Sequence, residues 1–429
     1  MRQQCRDVAG LVGRQPREDV LQIRVRVVPV KLCRPYQAHD GGSALACPFK
    51  VDFGEYKLMG LAPYGEPRYF QTICDHLIDI KPDGSFWLNM EYFDYAVGDS
   101  MINEKFEKLF GGPRRKPEAL ITGREFDLAA SIQLVLEHAL LRLAKSVRVQ
   151  TGQTALCLAG GVALNCVANG KLLKARIVDD IWVRPAAGDS GGALGAALAG
   201  WHMEKKQPRK FTGVDSMKSA LLGSSYSNDE VETALMSCGA VFRPVAESEM
   251  FDEVTDLLAE GNVVGWFQGR MEFGPRSLGA RAILGDARNV TMQSVLNLKI
   301  KNRESFRPFA PAILEEHVSA WFETDRPSPY MLFVVDVARI RRRALSEQEQ
   351  GNSREDYYVD PAAWILLHNG VTGSLREAPP LAPASRLPPP HRSLNCRCLP
   401  LVSGQAPSKV RKGPLQTQQR LSSLIRGIA

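Results

Sequence analysis

A basic segment over residues 269–311 contains the side chains best suited to chemistry in this chain. It reads GRMEFGPRSLGARAILGDARNVTMQSVLNLKIKNRESFRPFAP and places Arg276, Lys301 and Arg307 among glycines, prolines and aromatic residues. Glycine and proline fix backbone turns, so these cations are expected to point in set directions. Guanidinium and ammonium groups held in this way suit the binding of phosphate or carboxylate. The alternative is a salt-bridged surface.

Two glycine-containing turns offer a second kind of site. In LAGGVALN (158–165), Gly160 and Gly161 would let backbone N–H groups approach a phosphate at a helix start. Packing of a tight strand–helix turn explains the same glycines equally well. In AGDSGGA (187–193), Asp189 would either cap a helix or supply an oxygen ligand to a metal at the carboxyl end of a strand. The local pattern favours the cap.

A third segment, GEYKLMGLAPYG (54–65), has the glycine, proline and tyrosine content typical of a structured loop. Glu55 and Lys57 would either face a ligand or form an ordinary surface pair, and the residue pattern leaves both interpretations open. None of the seven histidines falls in an H-x-x-x-H pair, so the sequence shows no evident metal partner for Asp189.

Hydrophobic periodicity predicts the elements that position these motifs. A strong helix is expected over residues 126–147, and it is followed by the strand–turn–helix alternation of a layered α/β domain. In that alternation the strands cover 155–159 and 177–183, and the helices cover 162–173 and 193–203. Further along the chain the pattern predicts helices over 228–237 and 247–260, a strand over 263–267, helices over 290–301 and 312–322, and a strand over 331–338.

Composition and charge narrow the class of protein. The chain of 429 residues is 44% hydrophobic and 24% charged, as is ordinary for a globular protein. It contains no apolar run near the roughly 20 residues that a membrane span needs, so a cytoplasmic protein without membrane contact is expected. The net charge of +7 arises at the ends, with +5 over residues 1–34, +8 over 371–429 and −6 between them. This distribution argues against a nucleic-acid-binding surface.

The two ends differ in character from the middle of the chain. Residues 1–48 show no sustained period, and residues 371–429 contain nine prolines among 59 residues. Segments of this composition bury too little apolar surface to offset the entropy lost on ordering. Disordered ends are therefore expected over 1–48 and 346–429.

Taken in chain order, the four motifs resemble those of the carbamoyltransferase family of nodulation-factor and antibiotic biosynthesis. That family shows GEYK-MGLAPYG, GG-ALN, AGDSGGA-GAA, FGPRSLG-R and K-RE-FRPFAP, all of which occur here between residues 49 and 345. The resemblance implies an α/β protein. Its first part would be a partial actin-like ATPase-type domain over 49–212, and its second a YrdC-like carbamoyl-phosphate and ATP domain over 219–345.

The resemblance also implies an enzyme, an ATP-dependent O-carbamoyltransferase. In such enzymes carbamoyl phosphate and ATP give a carbamoyl-adenylate. The carbamoyl group then passes to a hydroxyl of a small molecule near a bound divalent metal, iron. By position, Arg276, Lys301 and Arg307 match the family's catalytic carbamoyl-phosphate and nucleotide-binding cations, and Asp189 matches its metal-ligand aspartate. The residues expected to bind the nucleotide cofactor are Gly160, Gly161, Asn165 and Lys299.

Two features of the family have no match in this sequence. The histidine pair that holds the metal with the aspartate has no counterpart in residues 1–48, and the serine- and asparagine-containing closing segment has none in residues 346–429. An incomplete metal site is therefore expected. The alternative function is a catalytically incomplete protein that only binds nucleotide or carbamoyl phosphate. The pattern identifies neither the acceptor nor the oligomeric state.

Overall fold

The computed structural model describes residues 54–341, except 97, 99, 117–118, 211–214, 290, 302 and 314, together with three short strands before residue 54. The described residues form two compact units. One contains residues 54–210 and 293–341, and the other contains residues 215–292. The tail predicted over 346–429 lies outside the described residues, as does most of the segment 1–48.

The described strands are β1 (Leu21–Ile23), β2 (Ser43–Ala44), β3 (Phe49–Lys50), β4 (Ile78–Ile80), β5 (Phe86–Leu88), β6 (Ala155–Leu158), β7 (Asp180–Val183), β8 (Val264–Phe267) and β9 (Arg281–Leu284). The α-helices are α1 (Glu55–Leu61), α2 (Phe70–His76), α3 (Glu104–Leu109), α4 (Gly123–Thr151), α5 (Cys166–Lys174), α6 (Asp189–Ala199), α7 (Asn228–Ser237), α8 (Glu247–Ala259), α9 (Met292–Ser294) and α10 (Val318–Trp321). Turns of 3-10 helix include Gly161–Leu164 and Glu315–His317, and π-helical turns continue α6 over Gly200–Glu204 and α9 over Val295–Ile300. No helix in this part of the chain is both long and apolar enough to cross a membrane.

Helix α4 supports the first unit. It begins after Thr122, whose N–H and hydroxyl donate to the Glu125 carboxylate at 2.9 and 2.6 Å, and it ends at Gly152 with a φ of 71°. A capping box and a left-handed glycine are common helix boundaries. Leu128 and Ala129 are fully buried, and the helix packs on α1, α2 and α5. The predicted helix over 126–147 is confirmed and extends further at both ends.

A parallel sheet carries the two glycine turns at one edge. Its strand order is β1–β6–β7, and β6 pairs with β7 so that Leu158 lies opposite Val183. Helix α5 connects these two strands, as a parallel pair requires, and the predicted strand–turn–helix alternation is confirmed. The carboxyl ends of both strands therefore lie at the same edge, where ligands usually bind in α/β folds.

The strand predicted over 331–338 is wrong. The segment forms an isolated bridge rather than a strand, because its backbone bonds to helix α5. The Val334 N–H donates to the Cys166 carbonyl at 3.0 Å, and the Leu332 carbonyl accepts from the Asn169 amide at 3.0 Å. These partners are distant in sequence, so periodicity within the segment gives no sign of them.

Other boundaries also differ from the pattern. Helix α6 begins at Asp189, four residues before the predicted start, because the glycine-rich loop is already helical. The helix predicted over 312–322 is reduced to α10 and the 3-10 turn before it, after a proline-containing stretch that favours extended backbone. Strand β1 comes from the segment 1–48, for which no order was expected, and it pairs with β6.

The second unit contains an antiparallel hairpin covered by helix α8. Strands β8 and β9 pair with each other, and Met250 and Val254 of α8 pack against Val264. The compact units do not coincide with the predicted domain over 219–345, because residues 293–341 belong to the first unit. Residues 293–341 join the first unit because they form hydrogen bonds with the GEYK segment and with helix α5.

Candidate functional site

The two glycine turns meet at the carboxyl edge of the parallel sheet. Gly160 follows β6 and has a φ of 98°, a conformation that favours glycine. Its N–H donates to the Ala187 carbonyl at 2.8 Å, which joins this turn to the loop after β7. Asp189 begins helix α6 two residues later. The structure therefore brings the Gly160–Gly161 turn and the Asp189 loop to one edge.

Asn165 is engaged in contacts within the protein. Its Oδ1 accepts from the Ala168 N–H at 2.9 Å and caps α5, and its Nδ2 donates to Gln133 Oε1 at 2.9 Å. Gln133 donates in return to Asn165 Oδ1 at 3.2 Å and also to Glu137 at 3.0 Å. Gln133 and Glu137 are buried on α4, so the amide pair fastens the end of the glycine turn to the long helix. Nucleotide binding by Asn165 stays a prediction.

Asp189 does not cap helix α6. The N-cap residue is Gly188, Asp189 is the first helical residue, and its side chain is exposed. Among the residues that the structure describes, no three His, Cys, Asp or Glu side chains form a group able to hold a metal ion. The described part of the chain therefore does not complete a metal site around Asp189. Metal binding by Asp189 stays a prediction.

A buried amide, that of Asn297, bonds to the chain at Arg303, Ser305 and Arg307. Asn297 has no exposed surface, and its Nδ2 donates to the carbonyls of Ser305 and Arg307 at 2.9 and 2.7 Å. Its Oδ1 accepts from Arg303 Nε at 2.7 Å, and its carbonyl accepts from the Arg303 N–H at 3.0 Å. These bonds fold the chain back on itself. Lys301, Arg303 and Arg307 consequently share one compact turn, the cation turn (residues 301–307).

The cation turn is fastened to the GEYK segment. Lys57 Nζ lies 2.5 Å from Glu304 Oε1, and Arg307 donates to the other oxygen of that carboxylate at 3.4 Å. The Tyr64 hydroxyl donates to the Phe306 carbonyl at 3.0 Å, and burial raises the pKa of this hydroxyl. The ion pair of Lys57 therefore joins two motifs that lie 247 positions apart.

The cation turn carries excess positive charge. Burial, followed by repulsion from Arg303 and Arg307, lowers the pKa of Lys301. Burial and then Arg307 lower the pKa of Arg303 to about 10, against two smaller raising effects. The guanidinium carbons of Arg303 and Arg307 lie 4.7 and 4.5 Å from the ring centres of Phe309 and Tyr56, contacts that orient both groups. An anion with several oxygens would relieve the repulsion.

One residue that builds this turn, Asn297, does not stand out in the sequence. Arg303 is a third cation beside Lys301 and Arg307, and the Asn297 amide bonds Arg303 and the Arg307 carbonyl. The available signal for Asn297 is a polar residue within the apolar helical run VLNLKI, because buried polar groups almost always have hydrogen-bond partners. Lys299 lies exposed on the π-helical turn before the cluster, and its role in nucleotide binding stays a prediction.

Arg276 belongs to the second unit, where it lies half-buried in the loop between β8 and β9. The other conspicuous cation of this hairpin, Arg281, has a structural role. Its guanidinium donates to the carbonyls of Gln268 and Gly269 at 3.0 and 3.1 Å and lies 3.4 Å from the ring centre of Phe267. Arg281 therefore closes the hairpin, and Arg276 is the cation of the FGPRSLG motif that the pattern assigns to a ligand.

The sites offer two kinds of chemistry. The sheet edge combines backbone N–H groups with one carboxylate, and the cation turn concentrates fixed positive charge. Both suit phosphate esters and the phosphate groups that leave them. The predicted site residues are distributed as Gly160, Gly161, Asn165 and Asp189 at the sheet edge, Lys299, Lys301 and Arg307 in or just before the cation turn, and Arg276 in the second unit.

The parts of the chain that carry these sites match two family models. Residues 42–198 match the model described as carbamoyltransferase N-terminus, and residues 255–351 match the model described as carbamoyltransferase C-terminus. The first match contains the GEYK segment and the sheet edge. The second contains the loop of Arg276 and the whole cation turn.

Several curated proteins are similar to this chain over about two thirds of its length or more. An uncharacterized protein of Synechocystis sp. is 57% identical over 305 residues, which cover 70% of this chain and 50% of that protein. Nodulation protein NolO of Bradyrhizobium diazoefficiens is 36% identical over 326 residues, covering 74% and 57%. Nodulation protein NolNO of Sinorhizobium fredii is 36% identical over 297 residues, covering 68% and 42%. The chain spans about half the length of these relatives.

Proposed function

Since the chain belongs to the carbamoyltransferase family, we propose that it is an ATP-dependent O-carbamoyltransferase. The carbamoyl group comes from carbamoyl phosphate, is activated as carbamoyl-adenylate and passes to a hydroxyl of a small molecule. The observation that carries the proposal is the cation turn, where Lys301, Arg303 and Arg307 share one short segment and repel one another. Such a cluster suits substrates rich in phosphate oxygens.

The proposed reaction balances in two stages. Carbamoyl phosphate, ATP and a water molecule yield carbamoyl-adenylate, phosphate and pyrophosphate. The acceptor hydroxyl oxygen then attacks the carbamoyl carbon, the bond from that carbon to the adenylate oxygen breaks, and AMP leaves while the hydroxyl proton passes to solvent. Every departing group is a phosphate species, so fixed cations are the protein groups expected to lower the barrier most.

Within the cation turn, each side chain has a distinct part. Arg307 offers a planar fork of donors that fits two phosphate oxygens, whereas Lys301 acts as a compact point charge. The Tyr56 ring and the Glu304 carboxylate hold Arg307 before a ligand arrives. Little orientational freedom then remains to be lost on binding, and pre-organised charge of this kind is more effective than mobile charge.

The sheet edge would receive the adenylate. Backbone N–H groups at Gly161 and at the start of α6 can donate to a phosphate without any side-chain charge. A ligand can approach this backbone closely at Gly161, because no atom lies within 4 Å of the position that a Cβ would take there. The amide pair of Asn165 and buried Gln133 keeps the turn in place.

Exchange of labelled pyrophosphate into ATP by the purified full chain tests the proposal. Wild-type protein should catalyse exchange only when carbamoyl phosphate is present. Lys301→Ala and Arg307→Ala should each lower the rate at least about tenfold, because one charge-assisted contact contributes about 1.5–3 kcal/mol. Lys145→Ala removes an exposed lysine of α4 and should leave the rate unchanged.

The outcomes separate the two candidate activities. Exchange that does not need carbamoyl phosphate, or that survives Lys301→Ala unchanged, would contradict the proposed reaction. Saturable binding of ATP or carbamoyl phosphate without any exchange would support the alternative, a protein that binds these ligands without turnover. Addition of candidate hydroxyl compounds, with AMP release as the readout, then identifies the acceptor class.

A further inference from the structure

Glu272 is a buried acid in the loop that carries Arg276. It is 9% exposed, and its Oε1 accepts from the N–H groups of Leu278 and Ala280, both at 2.8 Å, and of Arg281 at 3.1 Å. Burial alone would raise the pKa of this carboxyl, but bonds from backbone N–H groups together bring the pKa below its ordinary value. Glu272 is therefore ionised at neutral pH, and one oxygen gathers three donors.

These three bonds close the loop with Arg276 at its tip. The loop covers residues 273–278, and its backbone bends at Gly274 and Gly279, whose φ values of 134° and 102° favour glycine. Pro275 fixes the backbone dihedral angle directly before Arg276. The three bonds to Glu272 form a clamp at the base of the loop, and the backbone is restricted on both sides of the tip. Such a short loop has few conformations left, so the direction of its tip is well defined.

Glu272 bonds the backbone N–H of Arg281 but not its guanidinium. The Arg281 side chain is held by its own bonds to the carbonyls of Gln268 and Gly269 and by its contact with Phe267. Strand pairing of β8 and β9 also fixes the base of the hairpin without Glu272. Removal of the carboxylate should therefore release the loop tip while the hairpin persists.

We propose that Glu272 is a positioning residue, which holds the loop of residues 273–278 so that Arg276 meets a phosphate oxygen of the bound substrate. This inference rests on the proposed function, because the phosphate belongs to carbamoyl phosphate or ATP. Glu272 does not touch the ligand. Its carboxylate is directed at the backbone, and its effect on binding passes through Arg276.

A double-mutant cycle in the full chain tests this role, with the dissociation constants of carbamoyl phosphate and ATP measured by calorimetry. Glu272→Ala should weaken binding of one of these ligands by roughly ten- to a hundredfold, the range for loss of a charge-assisted contact. Arg276→Ala should weaken it as much. The double variant should be no weaker than Arg276→Ala, because the clamp matters only while Arg276 is present.

Two further variants distinguish positioning from a general structural effect. Glu272→Gln keeps an oxygen that can accept the same N–H groups and should recover binding to within about threefold of wild type. Glu232→Ala removes an exposed acid of α7 in the same unit and should change nothing. Hydrogen exchange of the peptide around 276–281 should rise in Glu272→Ala and stay at the wild-type level in Glu272→Gln.

The possible failures are distinguishable. If wild type binds ligand and Glu272→Ala binds equally well despite faster exchange in the loop, the positioning role is overturned and the proposed function stands. If Glu272→Ala weakens binding as much in the Arg276→Ala background as in wild type, the effect is structural and unrelated to Arg276. That result would also overturn the positioning role. A wild-type chain that binds neither carbamoyl phosphate, ATP nor inorganic phosphate would overturn the proposed function and this inference together.

Discussion

Replacement of Asn297 by alanine is expected to destabilise the first unit and to loosen the cation turn. The substitution removes two Nδ2 donors, which serve the carbonyls of Ser305 and Arg307, and the Oδ1 acceptor of Arg303 Nε. Asn297 has no exposed surface. Its former partners can therefore regain hydrogen bonds only if water enters the site or the turn rearranges.

The size of the effect follows from the three bonds. A bond between neutral groups contributes about 1 kcal/mol, and a bond from a charged donor contributes about 1.5–3 kcal/mol. Two bonds of the first kind and one of the second give roughly 3.5–5 kcal/mol. Water that enters the space left by the amide would restore part of this, so the expected loss in the free energy of unfolding is about 3–4 kcal/mol, a large value for one substitution.

Urea unfolding measures the stability, and hydrogen exchange of helix α4 assigns the change to the first unit. Asn228→Ala is the matched control, since Asn228 is exposed on α7 in the second unit, and it should change stability by less than about 0.5 kcal/mol. Phosphate affinity should fall together with stability in Asn297→Ala, because Lys301, Arg303 and Arg307 would no longer share one turn.

Asn297→Asp provides the decisive comparison. Aspartate keeps the shape of the side chain and an acceptor for Arg303, but it places an oxygen opposite the carbonyls of Ser305 and Arg307. If the two amide donors hold the turn, this variant should be at least as unstable as Asn297→Ala. A stable Asn297→Asp protein, or a loss below about 1 kcal/mol in Asn297→Ala, would refute the role of the Asn297 amide in holding the cation turn.

Three further outcomes are expected. Burial opposes ionisation of Glu304, but the hydrogen bond and charge of Lys57 outweigh it, so the pKa of Glu304 is lowered. The stability that Glu304 contributes is present above its unfolded pKa of about 4.3 and is lost as the pH falls through the folded pKa. Glu304→Gln should therefore flatten the fall in unfolding free energy at acid pH, measured by urea unfolding, and an unchanged fall would contradict this. Phosphate binding should raise the lowered pKa of Lys301, so binding at alkaline pH should take up protons, as calorimetry in buffers of different ionisation enthalpy would detect. Gly160→Ala should cost about 1–2 kcal/mol because of its positive φ, whereas Gly161→Ala, with open space at its Cβ position, should cost clearly less in the same unfolding assay.

Local signals made much of the fold predictable. Helix α7 was expected over 228–237 and occupies those residues, because Ser227 and Glu230 form a capping box at its start. The strands β6 and β7 and their crossover helix likewise follow from glycine turns and apolar runs that lie next to one another in sequence. The strand expected over 331–338 failed because its backbone partners lie on helix α5, where no local pattern reveals them.

The candidate site likewise contains residues that the sequence identifies and residues that only the fold identifies. The residue types and glycine–proline spacing pointed to Lys301, Arg307 and Arg276 as cations for a phosphate ligand, and the motif order identified the family. The pattern gave no reason to select Asn297 or Glu272. Their importance lies in backbone groups they bond to, and any residue can supply a backbone carbonyl or N–H.

The sequence by itself determined which charged side chains the protein can offer to a ligand, because charge and side-chain chemistry are properties of residue types. The tertiary structure alone decided how that charge is held. It joined Lys57 to Glu304 across most of the chain, brought the loop of Ala187 to Gly160, and placed Asn297 and Glu272 inside their turns. Each of these contacts depends on where the backbone lies after folding, and such distances are not encoded in any local window of sequence.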